Sequence, residues 1–239
     1  MKTAPLQRRS LTWSARAAIF DVDETLIVVS SLFAFLRFDM DARGRPAHEY
    51  EQAAQALRDL AGRGATRHDV NRAYFQLFAG RHAAQMAATA ERWFEHERRA
   101  GGLFHPRVLA ALWRHAAAGD LTLLVSGSFP ACLDPIARYV GADVVLCTQP
   151  EIRAGRYTGR VASPMLGEAK ADAVRAVAAE HGVLLGESHA YGDHASDLAI
   201  LDLVGHPVVV GDDPVLADRA RRDGWARIQS SPRPVGKLA

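Results

Sequence analysis

Two aspartates two residues apart, Asp21-Val22-Asp23, follow directly on the apolar run 17–20. On a turn leaving a strand end, carboxylates at that spacing can approach one small volume. One can attack phosphorus while the other handles a proton, because carboxylates form phosphoenzymes. Two anions so close repel each other and any phosphate, so the pair calls for a cation, and Mg2+ suits an all-oxygen shell. The same residues also suit a turn whose carboxylates cap a helix. Three other places have comparable content. Ser126-Gly127, after the run 121–125, offers a hydroxyl and free backbone N–H groups to an anion, or simply caps a helix. Gly192-Asp193-His194-Ala195-Ser196-Asp197, after the run 189–192, sets two carboxylates on a strand-to-helix turn, as metal ligands, as their support, or as a capped helix start. Lys170 opens an amphipathic stretch and can neutralise phosphate charge or remain a solvated lysine.

These residues need elements to hold them. Apolar runs at 17–20, 121–125, 144–147, 189–192 and 207–210 alternate with helical patterns such as 130–140 and 170–181. Strands of four to six residues alternating with helices predict an α/β fold, a parallel sheet with helices on both faces. Ligands bind at the carboxyl ends of such strands, where Asp21, Asp23, Ser126, Asp193 and Asp197 stand. The stretch 30–104 differs. It is rich in Ala, Glu, Arg and Gln, with apolar residues at helical spacing (Leu57 with Leu60, Tyr74 with Leu77 and Phe78, Trp93 with Phe94), and it has no strand pattern. We expect a helical cap inserted after the first strand, with Gly101-Gly102 and Pro106 marking the return. The expected division is an N-terminal arm at 1–16, a core at 17–29 and 105–239, and a cap at 30–104. Ala154-Gly155 within 151–161 predicts a small hairpin.

Composition narrows the classes. A chain of 239 residues fits one large domain or a core with an insertion, and 49% hydrophobic content is enough for a sizeable core. Lys and Arg total 29 against 27 Asp and Glu, so no nucleic acid or membrane partner is expected. Lys2, Arg8, Arg9 and Arg16 read as a solvated arm. Cys132 and Cys147 read as small buried apolar residues. The longest apolar run, 26–36, is broken by Ser30 and Ser31 and falls short of the roughly 20 residues of a spanning helix. No signal segment opens the chain, so a cytoplasmic, reduced setting is expected.

In chain order, Asp21-x-Asp23-x-Thr25, Ser126-Gly127, Lys170 and Gly192-Asp193-x-x-x-Asp197 together resemble the haloacid dehalogenase superfamily. The helical insertion, with 126–129, 155–159 and Gly205-His206-Pro207, resembles its phosphoserine-phosphatase-like branch, subfamily IB. The resemblance implies a Rossmann-like core with a C1-type cap, and Mg2+-dependent hydrolysis of a small-molecule phosphate monoester through an aspartyl-phosphate. It implies Asp21 as nucleophile and Asp23 as acid and then base. The Asp23 backbone carbonyl and the Asp21 and Asp193 side chains would hold Mg2+, with Asp197 supporting them. Thr25, Ser126, the Gly127 amide and Lys170 would bind phosphate.

Specificity departs from the phosphoserine pattern. Glu24 stands where those enzymes have Ser, and Ser30 stands where they have the Glu that recognises the substrate amine. The Ser30 hydroxyl suits a polyol or sugar-like partner, or else caps the first cap helix. Ser30, Arg72 and His194 are the specificity candidates, and His48, Asn71, Tyr74 and Arg81 also lie in reach of a leaving group or serve packing. Two rivals share the chemistry: a phosphotransferase or phosphomutase with the same phosphoenzyme, and a non-catalytic phosphoacceptor resembling a response-regulator receiver, which lacks so large an insertion.

Overall fold

The computed structural model describes residues 15–229. Most of the expected arm at 1–16, including Lys2, Arg8 and Arg9, lies outside that range. Arg16 is described, and it is not simply solvated: its guanidinium bonds to Asp120 Oδ1 at 3.0 Å.

Six strands form one parallel sheet. Its first and central members are β1 (Ala17–Asp21) and β2 (Leu121–Ser126), both buried along their whole length. Strands covered on both faces carry continuous rather than alternating apolar runs, which is why Ala-Ala-Ile-Phe and Leu-Thr-Leu-Leu-Val read so clearly. Four helices separate β1 from the rest of the core: α1 (Ser31–Ala42), α2 (Ala47–Gly62), α3 (Arg67–Gln76) and α4 (Ala83–Ala100). Then α5 (Pro106–Ala117) leads into β2, and α6 (Pro130–Val140) leads from it to β3 (Val144–Cys147). Both helices begin on proline, whose fixed φ and missing N–H suit the first helical position. The antiparallel hairpin β4 (Gln149–Arg153) and β5 (Arg156–Ser163) follows, as the Ala154-Gly155 pair predicts. The chain returns through α7 (Glu168–His181), β6 (His189–Gly192), α8 (Leu198–Leu201), β7 (His206–Val210), α9 (Pro214–Asp223) and β8 (Ala226–Ile228).

The sheet order is β3-β2-β1-β6-β7-β8. Register places Asp21 beside Val125, and Phe20 beside Tyr191 on the other flank, so the ends of β1, β2 and β6 open onto one crevice. The short edge strand β8, Ala-Arg-Ile, has no apolar run and was not expected. Among the described residues, no helix is long and apolar enough to cross a membrane. Cys132 and Cys147 are buried free thiols, as expected.

The inserted helices do not form a separate core. Phe35, Tyr74, Phe75, Phe78 and Trp93 are buried among themselves. Into their midst comes Phe129, from the turn just after Ser126, with ring centroids 5.3 Å from Phe75 and 5.8 Å from Phe35. The hairpin joins from the side, with the Gly80 N–H donating to the Tyr157 carbonyl at 2.8 Å. One aromatic cluster therefore spans the inserted helices and the loop leaving β2.

Candidate active site

Asp21 ends β1 and is 5% exposed. Beyond it the chain turns sharply. Leu26 and Ile27 both donate to the Val22 carbonyl, at 3.0 and 2.9 Å, and Glu24 takes a φ of 62°, left-handed for a residue with a side chain. Such strain persists only where the surroundings enforce it, and it gathers at functional turns. The turn separates the two aspartates: Asp21 points to the sheet end, whereas Asp23 Oδ1 accepts the Ser31 N–H at 3.0 Å, at the start of α1. It also buries Thr25, whose hydroxyl donates to Asp193 Oδ1 at 2.7 Å. Thr25 was expected to bind phosphate; placed this way, it orients Asp193 and is absent from the cavity lining.

Lys170, in the first turn of α7, reaches across with Nζ 2.6 Å from Asp21 Oδ1 and 2.7 Å from Asp197 Oδ1. Asp197 comes this close because Gly192 has no side chain; a Cβ there would lie 2.7 Å from the Asp197 Cβ. Ser126 accepts the Ser128 N–H on its hydroxyl at 3.0 Å, which leaves its own proton to donate. A Cβ on Gly127 would lie 2.7 Å from the end of the Leu166 side chain, so a larger residue there would have to displace Leu166 where the loop meets the cavity. The Ser128 hydroxyl in turn bonds the Ser31 hydroxyl at 2.7 Å.

Three carboxylates, those of Asp21, Asp193 and Asp197, offer oxygens within 4.8 Å of one another. Their electrostatics fit a divalent cation. Burial pushes the Asp21 carboxyl well above its ordinary range, Asp197 adds to this, and Lys170 opposes it. Burial raises Asp193 to about 7 against the hydrogen bond from Thr25. It raises Asp23 to about 6 against the bonds from Ser31. Burial alone would lower the Lys170 pKa, but Asp21 and Asp197 more than offset it and hold the ammonium charged. One ammonium among three acids leaves an anionic pocket of oxygen donors, the donor set that Mg2+ takes.

A stability prediction follows from these shifts. Asp23 and Asp193 keep protons in the folded chain to about 6 and 7, whereas the unfolded chain releases them near 3.8. The contribution of these two groups to stability is thus greatest below the unfolded value and is lost as pH rises through the folded ones. A cation that binds the ionised carboxylates offsets this loss. Thermal unfolding should therefore show Mg2+ raising Tm more at pH 8 than at pH 5; an equal rise at both, or none, would speak against a cation here.

These groups line a cavity of about 360 Å³ between the sheet ends and helices α1 to α3. Asp21, Asp23, Ser126, Gly127, Lys170, Asp193 and Asp197 all border it, and so do Ser30 and His194. Ser30 precedes α1 without a side-chain capping bond. His194 Nδ1 accepts the Ser196 N–H at 3.0 Å, capping the turn that presents Asp197. Arg72 does not reach the cavity: it is exposed on α3 and pairs with Asp69 at 3.5 Å. The arginines that do line it are Arg58 and Arg67, the latter bonded to Ser196 and 3.0 Å from His194 Nδ1. Of the other candidates, Arg81 is held by Asp39 at 2.8 Å, His48 is exposed, and the Tyr74 hydroxyl donates to the Leu32 carbonyl at 2.8 Å. Sequence reasoning missed Ser31 and Arg67. The first had a signal, since Ser30-Ser31 interrupts an apolar run; Arg67 had none beyond a position near a helix start.

Known proteins place the arrangement in a family. A model of the haloacid dehalogenase-like hydrolases matches residues 18–202. A probable phosphatase of Mycobacterium tuberculosis is 34% identical over 226 residues, covering 92% of this chain and 76% of that protein. A protein of unknown function from Bordetella pertussis Tohama I superposes with a TM-score of 0.82 at 30% identity, over 90% of this chain and 99% of that one. A substrate-bound phosphoserine phosphatase superposes at a TM-score of 0.67 with 18% identity, over 91% and 93% of the two chains, a likeness of fold. The chain is thus an enzyme of the haloacid dehalogenase-like hydrolase family, with the fold of the phosphoserine phosphatases.

Proposed function

We propose that this enzyme is a Mg2+-dependent phosphatase that hydrolyses a small phosphate monoester through a phosphorylated Asp21. The observation that carries the reading is the division of labour between two neighbouring carboxylates. Asp21 sits in the anionic cluster with Lys170 on it, whereas Asp23, two residues on, is turned away to Ser31 and has its pKa raised to about 6. A nucleophile must be ionised and near compensating charge; an acid must carry a proton near working pH.

Asp21, Asp193 and Asp197 would hold the Mg2+, which supplies positive charge against the phosphate oxygens and keeps Asp21 ionised. In the first step a carboxylate oxygen of Asp21 forms a bond to phosphorus as the ester P–O bond breaks, and the Asp23 proton passes to the departing oxygen. In the second, Asp23 takes a proton from water, the water oxygen bonds to phosphorus, and the bond to Asp21 breaks, releasing phosphate. Ser126, the Gly127 amide and Lys170 hold phosphate oxygens, because phosphoryl transfer demands chiefly positioning and charge neutralisation. On this reading, helices α1 to α4 act as the cap that shields the reaction from bulk water. Ser30 in place of the Glu of the phosphoserine pattern, with no capping bond from its side chain, favours a polyol or sugar-like leaving group over phosphoserine.

The test is phosphate release from phosphorylated polyols, sugars, amino acids and p-nitrophenyl phosphate, with and without Mg2+, using wild type beside Asp23→Asn. Wild type should need Mg2+. In kcat/KM, which reports formation of the phosphoenzyme, Asp23→Asn should lose about 10²- to 10⁴-fold on alkyl esters, the usual scale for a positioned acid, and far less on the aryl ester, whose leaving group needs no proton; kcat should fall on both, because Asp23 is also the base of the second step. Wild-type kcat/KM on alkyl esters should fall as pH rises through about 6, because Asp23 then loses its proton. Equal losses of kcat/KM on both ester types would remove Asp23 from the acid's role. Phosphate appearing on added alcohols instead of free would make the enzyme a transferase.

A further inference from the structure

Resting on the phosphatase reading, we infer that Arg67 selects among substrates by binding a second anionic group, a carboxylate or a further phosphate, carried by the leaving group away from the scissile ester. Arg67 opens α3, is exposed, and lines the active-site cavity. Its Nη1 lies 3.0 Å from His194 Nδ1 and also donates to Ser196 Oγ. Both of those residues line the same cavity from the core side. The guanidinium is therefore held at the cavity mouth, between an inserted helix and the loop that presents Asp193 and Asp197. Among the described residues, both of its acceptors are neutral, its Nε and Nη2 make no bond, and no carboxylate pairs with it. Arg72 and Arg81 differ: each pairs with an aspartate.

A guanidinium stays charged at any working pH and presents a planar fork of N–H donors that matches carboxylate and phosphate oxygens. Arg67 uses one nitrogen to anchor itself and keeps the rest of the fork for a ligand. Depth separates it from the scissile phosphate. The groups that would hold that phosphate, Asp21, Ser126 and Lys170, are at most 5% exposed, whereas Arg67 stands at the open end. A leaving group points outward from the buried end, toward the arginine. Arg58 on α2 also lines the cavity, and its guanidinium bonds to the neutral Gln55 Oε1 at 3.2 and 3.1 Å, so it adds positive charge there. A substrate charged only at its ester leaves the fork of Arg67 unmatched; one that bears a second anion meets a cation at both ends. The class implied is a phosphorylated sugar acid or hydroxy acid, or a polyol bearing two phosphates.

The experiment uses matched pairs that differ in the second anion. For a carboxylate the pair is 3-phosphoglycerate against glycerol 3-phosphate. For a phosphate it is 3-phosphonopropyl phosphate against propyl phosphate, the phosphonate standing for a group that is bound but not cleaved. Arg67→Gln keeps a polar end and removes the charge. It also weakens the bonds to His194 and Ser196, but that loss falls equally on both members of a pair. The expected wild-type kcat/KM favours the anionic member of at least one pair by about tenfold or more, and the pair that responds names the anion. Arg67→Gln should bring that ratio to within about twofold of one, with the change carried by KM, because the contact is remote from the bonds that form and break. Added NaCl should shrink the wild-type ratio by screening an exposed charge, and leave the variant's ratio alone. Arg67→Ala gives the same readout should the glutamine variant fail to fold. A wild type without preference in either pair overturns the inference. So does a ratio that the variant leaves unchanged, the result expected of an arginine that only ties the helix to the loop. Loss of phosphate release from every ester by wild type, p-nitrophenyl phosphate included, would strike the phosphatase reading instead.

Discussion

Asp21→Asn should abolish turnover, with kcat falling by at least about 10⁴-fold, the scale seen when a covalent mechanism loses its nucleophile. The amide keeps the shape of the carboxylate and can still accept from Lys170 through its oxygen. What it loses is the ability to attack phosphorus. Structural collapse can be separated from chemical loss, because the wild-type carboxylate is costly to keep ionised: burial and Asp197 both push its pKa up. Removing that charge should leave Tm unchanged or raise it in the absence of Mg2+. Phosphate release, mass spectrometry for a phosphorylated chain, and thermal unfolding check the three parts together. A phosphoenzyme in wild type but not in the variant, at undiminished Tm, is the expected outcome; full activity in Asp21→Asn would overturn the mechanism.

The second large effect concerns Lys170. The residue is 4% exposed, and its ammonium bridges Asp21 and Asp197 at 2.6 and 2.7 Å. Removing one partner from a buried charged set leaves the others uncompensated, which typically costs about 3–5 kcal/mol. Lys170→Met keeps the length of the side chain and removes the charge, so it should lower the denaturant midpoint substantially. Its catalytic loss should be about 10²- to 10³-fold, the scale for one preorganised electrostatic contact to the transition state. The two losses should respond differently to Mg2+. A cation can replace part of the missing charge among Asp21, Asp193 and Asp197, restoring stability, but it cannot restore a donor aimed at phosphate oxygens. Unchanged stability in Lys170→Met would mean that the buried carboxylates are held protonated instead of balanced by the lysine.

Phe129 joins the aromatic cluster of α1, α3 and α4 immediately after the Ser126 loop, so the inserted helices and that loop share one packing unit. The Ser31–Ser128 and Asn71–Gly127 bonds fasten the same seam at its polar edge.

Much of this was legible in the sequence. Strands covered on both faces need unbroken apolar runs, so β1 and β2 announced themselves, β3, β6 and β7 were legible as shorter runs, and the carboxylates at the strand ends marked the crevice without any tertiary information. The order of Asp21, Asp23, Ser126, Lys170, Asp193 and Asp197 along the chain was enough for the family, because that chemistry constrains residue type and position together. Tertiary structure alone decided what those motifs touch. Thr25 looks like a phosphate ligand within its motif, yet it serves Asp193, 168 residues away. Arg72 and Arg67 are both arginines of α3, but only the helix's rotation and docking bring Arg67 to His194 and leave Arg72 in solvent. Asn71 gains its meaning from a carbonyl 56 residues on. Periodicity fixes which face of a helix is apolar; it does not fix where a polar side chain on the border of that face will point once two layers close on each other, because that depends on the shape of both.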